Sequence, residues 1–234
     1  KHASTRYAGV WDSGCVHEEC GVFGIWTPEG SGLSPAHESY AALFALQHRG
    51  QEACGIAVNN RGVIRCHRDV GLVGEVFHQA LLDSMQGSMA IGPVRYSTTG
   101  DPRRENAQPL VITNVKGNLA LAHNGNLVNA GQLRRKLELG GAIFRSSSDT
   151  EVLVYTLVQE RLRASSIEEA VVNAMDVLEG AYSLCIMSAQ KLIAARDPRG
   201  MRPLCMGRMG DAVVFASESC ALDALGASFV RDIE

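Results

Sequence analysis

The chain has 234 residues, with 22 Lys+Arg against 25 Asp+Glu for a formal net charge of −3, and it is 46% hydrophobic and 20% charged. That composition is ordinary for a globular protein, the length fits one large domain or two small ones, and the near-balanced charge argues against the basic excess of a nucleic-acid binder. No stretch approaches the roughly 18 uninterrupted apolar residues of a membrane-spanning helix.

Seven cysteines stand at positions 15, 20, 54, 66, 185, 205 and 220, with no C-x-x-C among them. The spacing argues against a zinc ribbon, an iron–sulfur cluster held within these residues, or a secreted disulfide framework. Cys54, Cys66, Cys185, Cys205 and Cys220 are expected to be small buried hydrophobes. Residues 1–19 hold no apolar core of a secretory signal, so the default expectation is a cytoplasmic protein.

In chain order, Lys1 to Glu19 is polar and aperiodic and reads as a leader. At Cys20 the pattern changes to CGVFGIW, an apolar run that predicts a buried strand. Ser34-Pro35 reads as an N-cap followed by Pro at the first helical position, for a helix to about Gln47 closed by Gly50. Gly55–Val58 and Val63–Arg65 flank Asn59-Asn60-Arg61-Gly62, a hairpin signal. Met89–Tyr96, Leu110–Thr113 and Leu119–His123 are further strands.

Two helices follow, each opened by an S-x-x-E capping box: Ser148 with Glu151 and Ser165 with Glu168. The second carries a stripe of Ile167, Ala170, Val171, Ala174, Met175 and Leu178. Four strands then close the chain: Ala181–Met187, Leu192–Ala195, Leu204–Arg208 and Ala212–Ala216. Runs of strands, then helices, then strands predict an α+β fold of antiparallel sheets covered by helices.

Cys20 follows Glu18-Glu19 and opens a predicted strand. If the chain were cut before it, the freed amine, with a pKa of about 7.7–8.0, would sit beside the thiol as a built-in general base. The alternative is one more core cysteine. Four further segments bear on this choice. LQHRGQE (46–52) ends a helix with Arg49. GPVRYSTTG (92–100) puts Arg95 at a strand end before several hydroxyls. AHNGNLVNA (122–130) reads as an Asn-Gly turn just after a strand, and SSSDTEV (146–152) puts Asp149 in the first turn of a helix. Together they supply a cation for a carboxylate, an anion for an ammonium and amide donors for an oxyanion, which are the needs of a free amino acid and of amide hydrolysis. Singly, Asp149 could serve the helix dipole, Asn124-Gly125 a turn and Arg95 a surface ion pair.

CGVFGI, LQHRGQE, VRYST, HNGNLVNA and SSDTEV, with RDPRGMRPL (196–204) and SESC (217–220), resemble the glutaminase domain of the glutamine phosphoribosylpyrophosphate amidotransferases, from Glu18 to Glu234. The resemblance implies an N-terminal nucleophile hydrolase with a four-layer αββα sandwich. It also implies a propeptide of residues 1–19, removed by autocatalytic cleavage between Glu19 and Cys20, and a glutaminase domain over 20–234. On it, Cys20 is the nucleophile, and Asn124 with the Gly125 N–H forms the oxyanion hole. Arg95, with Thr98 nearby, holds the glutamine carboxylate. Asp149, assisted by the Gly125 carbonyl, takes the ammonium. Arg49 organises the loop around the nucleophile.

The implied partners are L-glutamine and a C-terminal phosphoribosyltransferase domain, which uses the ammonia to make 5-phosphoribosylamine in the first step of de novo purine biosynthesis. The family's phosphoribosylpyrophosphate loop is absent from these 234 residues. Mg2+ and, in some relatives, an iron–sulfur cluster belong to that further portion, as does much of the surface through which relatives form homo-oligomers. No metal is expected in the glutaminase site, since the histidines show no H-E-x-x-H type spacing. The alternatives are the same domain on another class II amidotransferase, against which LQHRGQE speaks, or a non-catalytic glutamine-binding module that keeps its leader.

Overall fold

The computed structural model describes residues 20–96 and 104–234. Among them, strands β1 (Gly21–Trp26), β2 (Ala53–Asn60), β3 (Val63–Val70), β4 (Met89–Arg95), β9 (Cys205–Met209), β10 (Ala212–Ala216) and β11 (Ser228–Asp232) build one sheet in the order β11-β9-β10-β1-β4-β2-β3. Strands β5 (Leu110–Asn114), β6 (Gly117–Leu127), β7 (Gly180–Ser188) and β8 (Leu192–Arg196) build a second, in sequence order. Every pairing between described strands is antiparallel.

Helices α1 (Pro35–Ala45), α2 (Val73–Val76), α3 (Gln79–Ser84) and α7 (Ser219–Ala224) cover the larger sheet. Helices α5 (Asp149–Arg163) and α6 (Ile167–Met175) cover the smaller one, with α4 (Ala130–Leu139) against α5. The order is helix, sheet, sheet, helix, the αββα sandwich expected.

Strand alternation sorts the side chains into three apolar layers. Phe23 and Ile25 point under α1 with Leu43 and Leu46, whereas Val22 points between the sheets with Ile91, Ala120, Ala122 and Cys185. Leu119, Leu121 and Leu184 face the other way, onto Leu153, Leu157 and Ile167. Each fully buried Leu, Ile or Phe contributes about 1.5–3 kcal/mol. The inter-sheet layer uses small residues because the sheets approach closely: a Cβ at Gly24 would stand 3.2 Å from Cys185 Sγ.

Several local expectations need correction. The first helix ends at Ala45 and passes into a 3-10 turn, Gln47–Arg49, and the Ser34 hydroxyl bonds His37 Nδ1 instead of capping the helix. Asn124-Gly125 is not a turn: β6 runs on through it to Leu127, paired with β7, because Gly125 takes the positive φ of 142° inside the ladder. The second capping box lies one residue later, with Ser166 Oγ accepting the Glu169 N–H and Glu169 accepting the Ser165 N–H. Ser148 does cap α5, but Glu151 reaches back to the N–H groups of Arg145 and Ser146. Cys66 is exposed and Cys220 only half-buried; Cys54, Cys185 and Cys205 are buried as expected. Helices α2, α3, α4 and α7 and strand β11 had no reading in the sequence.

Candidate active site

One end of the sandwich gathers the start of β1, the end of β4, the end of β6 and the first turn of α5. Cys20 lies just before β1 with a φ of 65°, a left-handed backbone that costs a non-glycine residue roughly 1–3 kcal/mol. Its thiol is 3.5 Å from the Tyr96 carbonyl, beside the last residue of β4.

Arg49 explains the loop around Cys20. Its side chain is fully buried, its Nε donates to the Cys20 carbonyl at 2.7 Å, and its guanidinium pairs with Glu218. The Cys20 N–H in turn donates to the Arg49 carbonyl at 3.0 Å. The second Glu218 oxygen lies 2.9 Å from His48 Nε2 and 3.5 Å from Cys220 Sγ. Burial raises the Glu218 pKa, but the hydrogen bond and charge of Arg49 and the contact with His48 outweigh it and hold the carboxyl below its usual range. Gly50 must follow Arg49 because a Cβ there would stand 2.6 Å from the Arg95 nitrogen.

Arg95 closes β4, opposite Ala53 of β2, and is 5% exposed. Asn124 is fully buried on β6, and its alternation with Ala120 and Ala122 sends it toward the larger sheet. There its amide lies 3.3 Å from Ser217 Oγ, which also accepts the Val22 N–H at 2.9 Å.

On the other face of β6, Asp149 opens α5. One of its oxygens accepts the Leu127 N–H at 3.0 Å and the other lies 3.8 Å from His123 Nδ1. His123 also contacts the Thr150 hydroxyl at 3.1 Å, while Gln108 donates to that hydroxyl and accepts the His123 N–H. Burial depresses the His123 pKa; Asp149 opposes this, and Arg202 and Arg95 add to it. Arg95 and Asp149 are thus both within electrostatic reach of one imidazole. Arg202 belongs to the loop after β8, which folds around buried Asp197: that carboxylate accepts the N–H groups of Tyr182, Arg199 and Met201.

The structure therefore joins Cys20 to Arg49 directly, to Arg95 through Tyr96, and to Asn124 through Ser217 and Val22. It joins Asp149 to the same end through His123. Glu19 and Thr98 lie outside the described residues. In the sequence Ser217 and Glu218 stand out only as part of SESC, and His123 only as the end of a predicted strand and a member of AHNGNLVNA. Their partners lie up to 195 residues away, beyond the reach of any spacing rule. Among the described residues, the group of metal-ligating side chains that converges is His48, Glu218 and Cys220, and its carboxylate is already bound by Arg49.

An αββα sandwich with a cysteine at the head of a central strand, a buried arginine and an acidic helix start defines a class. The chain belongs to the glutamine amidotransferase domain family, whose model matches residues 94–224. It is 50% identical over 215 residues to the amidophosphoribosyltransferase of Methanocaldococcus jannaschii, covering 92% of this chain and 45% of that protein. It is 46% identical over 220 residues to the amidophosphoribosyltransferase of Bacillus subtilis, with 94% and 45% covered. The solved glutamine phosphoribosylpyrophosphate amidotransferase of B. subtilis, complexed with ADP and GMP, superposes with a TM-score of 0.82 at 45% identity, covering 92% of this chain and 45% of that one. The chain thus spans a little under half the length of these relatives.

Proposed function

We propose that this chain hydrolyses the side-chain amide of L-glutamine to glutamate and ammonia, with Cys20 as the nucleophile once residues 1–19 are removed. The observation that supports the reading is the hold of buried Arg49 on the Cys20 backbone, with the Cys20 thiol beside the end of the strand that carries Arg95, in a sandwich whose relatives are amidophosphoribosyltransferases. The Cys20 amine takes the thiol proton, and the thiolate attacks the glutamine amide carbon. Negative charge moves onto the amide oxygen, where the Asn124 side chain and Gly125 N–H donate to it. Collapse breaks the carbon–nitrogen bond and the amine's proton leaves with the nitrogen as ammonia. Water then opens the thioester and releases glutamate and the thiol.

Arg95, with Thr98, holds the substrate carboxylate, and Asp149 with the Gly125 carbonyl holds its ammonium. Asp149 stands in the first turn of α5, and one of its oxygens accepts the Leu127 N–H. Arg49 supports the Cys20 loop.

In the same reading the ammonia passes to a C-terminal phosphoribosyltransferase domain that makes 5-phosphoribosylamine from phosphoribosylpyrophosphate, in a homo-oligomeric, cytoplasmic enzyme. Mg2+ and any iron–sulfur cluster would serve that portion, since hydrolysis as written uses no metal. Among the described residues no helix is long and apolar enough to cross a membrane.

The test is ammonia release and intact mass of wild type and Cys20→Ala. Wild type should begin at Cys20 and release ammonia from glutamine; Cys20→Ala should retain the preceding residues and release none. Ammonia release by Cys20→Ala at the wild-type rate contradicts the reading.

A further inference from the structure

We infer that Ser217 is a positioning residue: its hydroxyl donates to the Asn124 carboxamide oxygen and thereby turns the Asn124 NH2 toward Cys20. This rests on the oxyanion role proposed above for Asn124.

The argument is an accounting of donors and acceptors. Ser217 Oγ accepts the Val22 N–H at 2.9 Å and lies 3.3 Å from the Asn124 amide nitrogen. With the nitrogen on that side, Asn124 Oδ1 is buried without a partner, and the Ser217 hydroxyl proton has no acceptor among the described residues. Buried polar groups rarely stay unpaired, and the two ends of a carboxamide are told apart by their hydrogen-bond network. Rotating the amide by 180° gives Oδ1 and the hydroxyl proton to each other and leaves the Asn124 N–H groups as buried donors without a protein partner, the state a donor to a substrate oxyanion requires. The hydroxyl then donates to Oδ1, and both N–H groups of Asn124 face away from Ser217.

The direction they face follows from the strands. Asn124 lies on the face of β6 turned toward the larger sheet, and Val22, two residues after Cys20, lies on the face of β1 turned toward β6. The hydroxyl is held there by the end of the β1–β10 ladder. Phe23 pairs with Ala216, and Ser217 N–H still donates to the Val22 carbonyl at 2.9 Å. The Val22 N–H, however, goes to the serine hydroxyl, which takes the place of a backbone acceptor. Ser217 is therefore fixed to the strand that carries the nucleophile while it grips the residue that stabilises the oxyanion. It sets the distance between the two without touching substrate.

The experiment is a double-mutant cycle on glutamine hydrolysis by the full-length, leader-free protein, using Asn124→Ala, Ser217→Ala and the double variant, with Ser217→Thr as the conservative control. Ser217→Ala should lower kcat roughly tenfold to a hundredfold, with KM held within about twofold. The double variant should be no slower than Asn124→Ala alone. Ser217→Thr, which keeps the hydroxyl, should retain most of kcat. A serine that only stabilised the fold would shift the melting temperature without this split or this coupling.

The inference is overturned if the two single losses multiply in the double variant, or if Ser217→Ala raises KM at constant kcat. A slow Asn124→Ala beside a fast Ser217→Ala removes the positioning role alone. An Asn124→Ala variant with wild-type kcat removes the oxyanion reading and this inference with it.

Discussion

The Arg49 guanidinium meets the Cys20 carbonyl at 2.7 Å, and the Cys20 N–H returns the contact to the Arg49 carbonyl at 3.0 Å. Two residues 29 positions apart are locked by a side-chain bond in one direction and a backbone bond in the other. The same guanidinium is neutralised by Glu218, so its burial does not leave an isolated charge. Arg49→Met should destabilise the fold by about 3 kcal/mol, the low end for breaking a buried pair because Glu218 is partly in water. Arg49→Lys keeps the charge but not the fork that reaches both partners, and should recover only part of this loss. Urea unfolding of the three proteins measures both.

Substrate holding separates from fold support at Asp149. Asp149→Asn keeps an acceptor for the Leu127 N–H but removes the charge opposite the glutamine ammonium. Its stability should change little, while glutamine affinity falls by roughly 2–5 kcal/mol, the order expected when a buried charge loses its partner. Arg95→Ala should cost a similar amount in kcat/KM. Wild-type kcat/KM in either variant contradicts the assignment.

Gly125 is required by the sheet as well as by any ligand. At a φ of 142° its missing Cβ would stand 2.0 Å from the Ala181 carbonyl oxygen of β7. Gly125→Ala should therefore destabilise the protein by roughly 3 kcal/mol or more, from backbone strain and overpacking together. A melting temperature equal to wild type would show that β6 and β7 do not pair through this residue.

Burial lowers the His123 pKa in the folded chain below 6.5, Asp149 opposing and Arg202 and Arg95 reinforcing the shift. The unfolded chain takes up a proton on this residue near pH 6.5 while the folded one stays neutral. More protons bound in the unfolded state means that stability is full above pH 6.5 and falls as the pH drops below it, by up to about 1.4 kcal/mol per pH unit. Urea unfolding at pH 7.5 and 5.5 should show this loss in wild type and a smaller one in His123→Gln. Equal losses contradict it.

The apolar periodicity of β1, β10 and α6 carried most of the fold into the sequence, since each buries one face or both against a neighbour. The short helices α2, α3 and α7 were illegible because four to six residues make too few turns for a stripe. Asn124-Gly125 misled for a physical reason: Asn-Gly favours turns, yet here the glycine takes its positive φ within a strand. Cys20, Arg95 and Asp149 were legible because each stands at an element boundary inside a long motif. Ser217, Glu218 and His123 were not, because their significance lies in partners that only the folded chain brings near.

The most direct measurement is covalent capture of the leader-free protein by an electrophilic glutamine analogue, with the modified cysteine located by peptide mass spectrometry. The described cysteines offer a built-in control. Cys54 and Cys185 are buried, and burial pushes their thiols up to about 12, which disfavours the thiolate of either near neutral pH. The account predicts one equivalent bound at Cys20, protection by glutamine, and loss of glutaminase activity in step with labelling. Labelling of Cys66 or another cysteine in step with inactivation, with Cys20 unmodified, would contradict it.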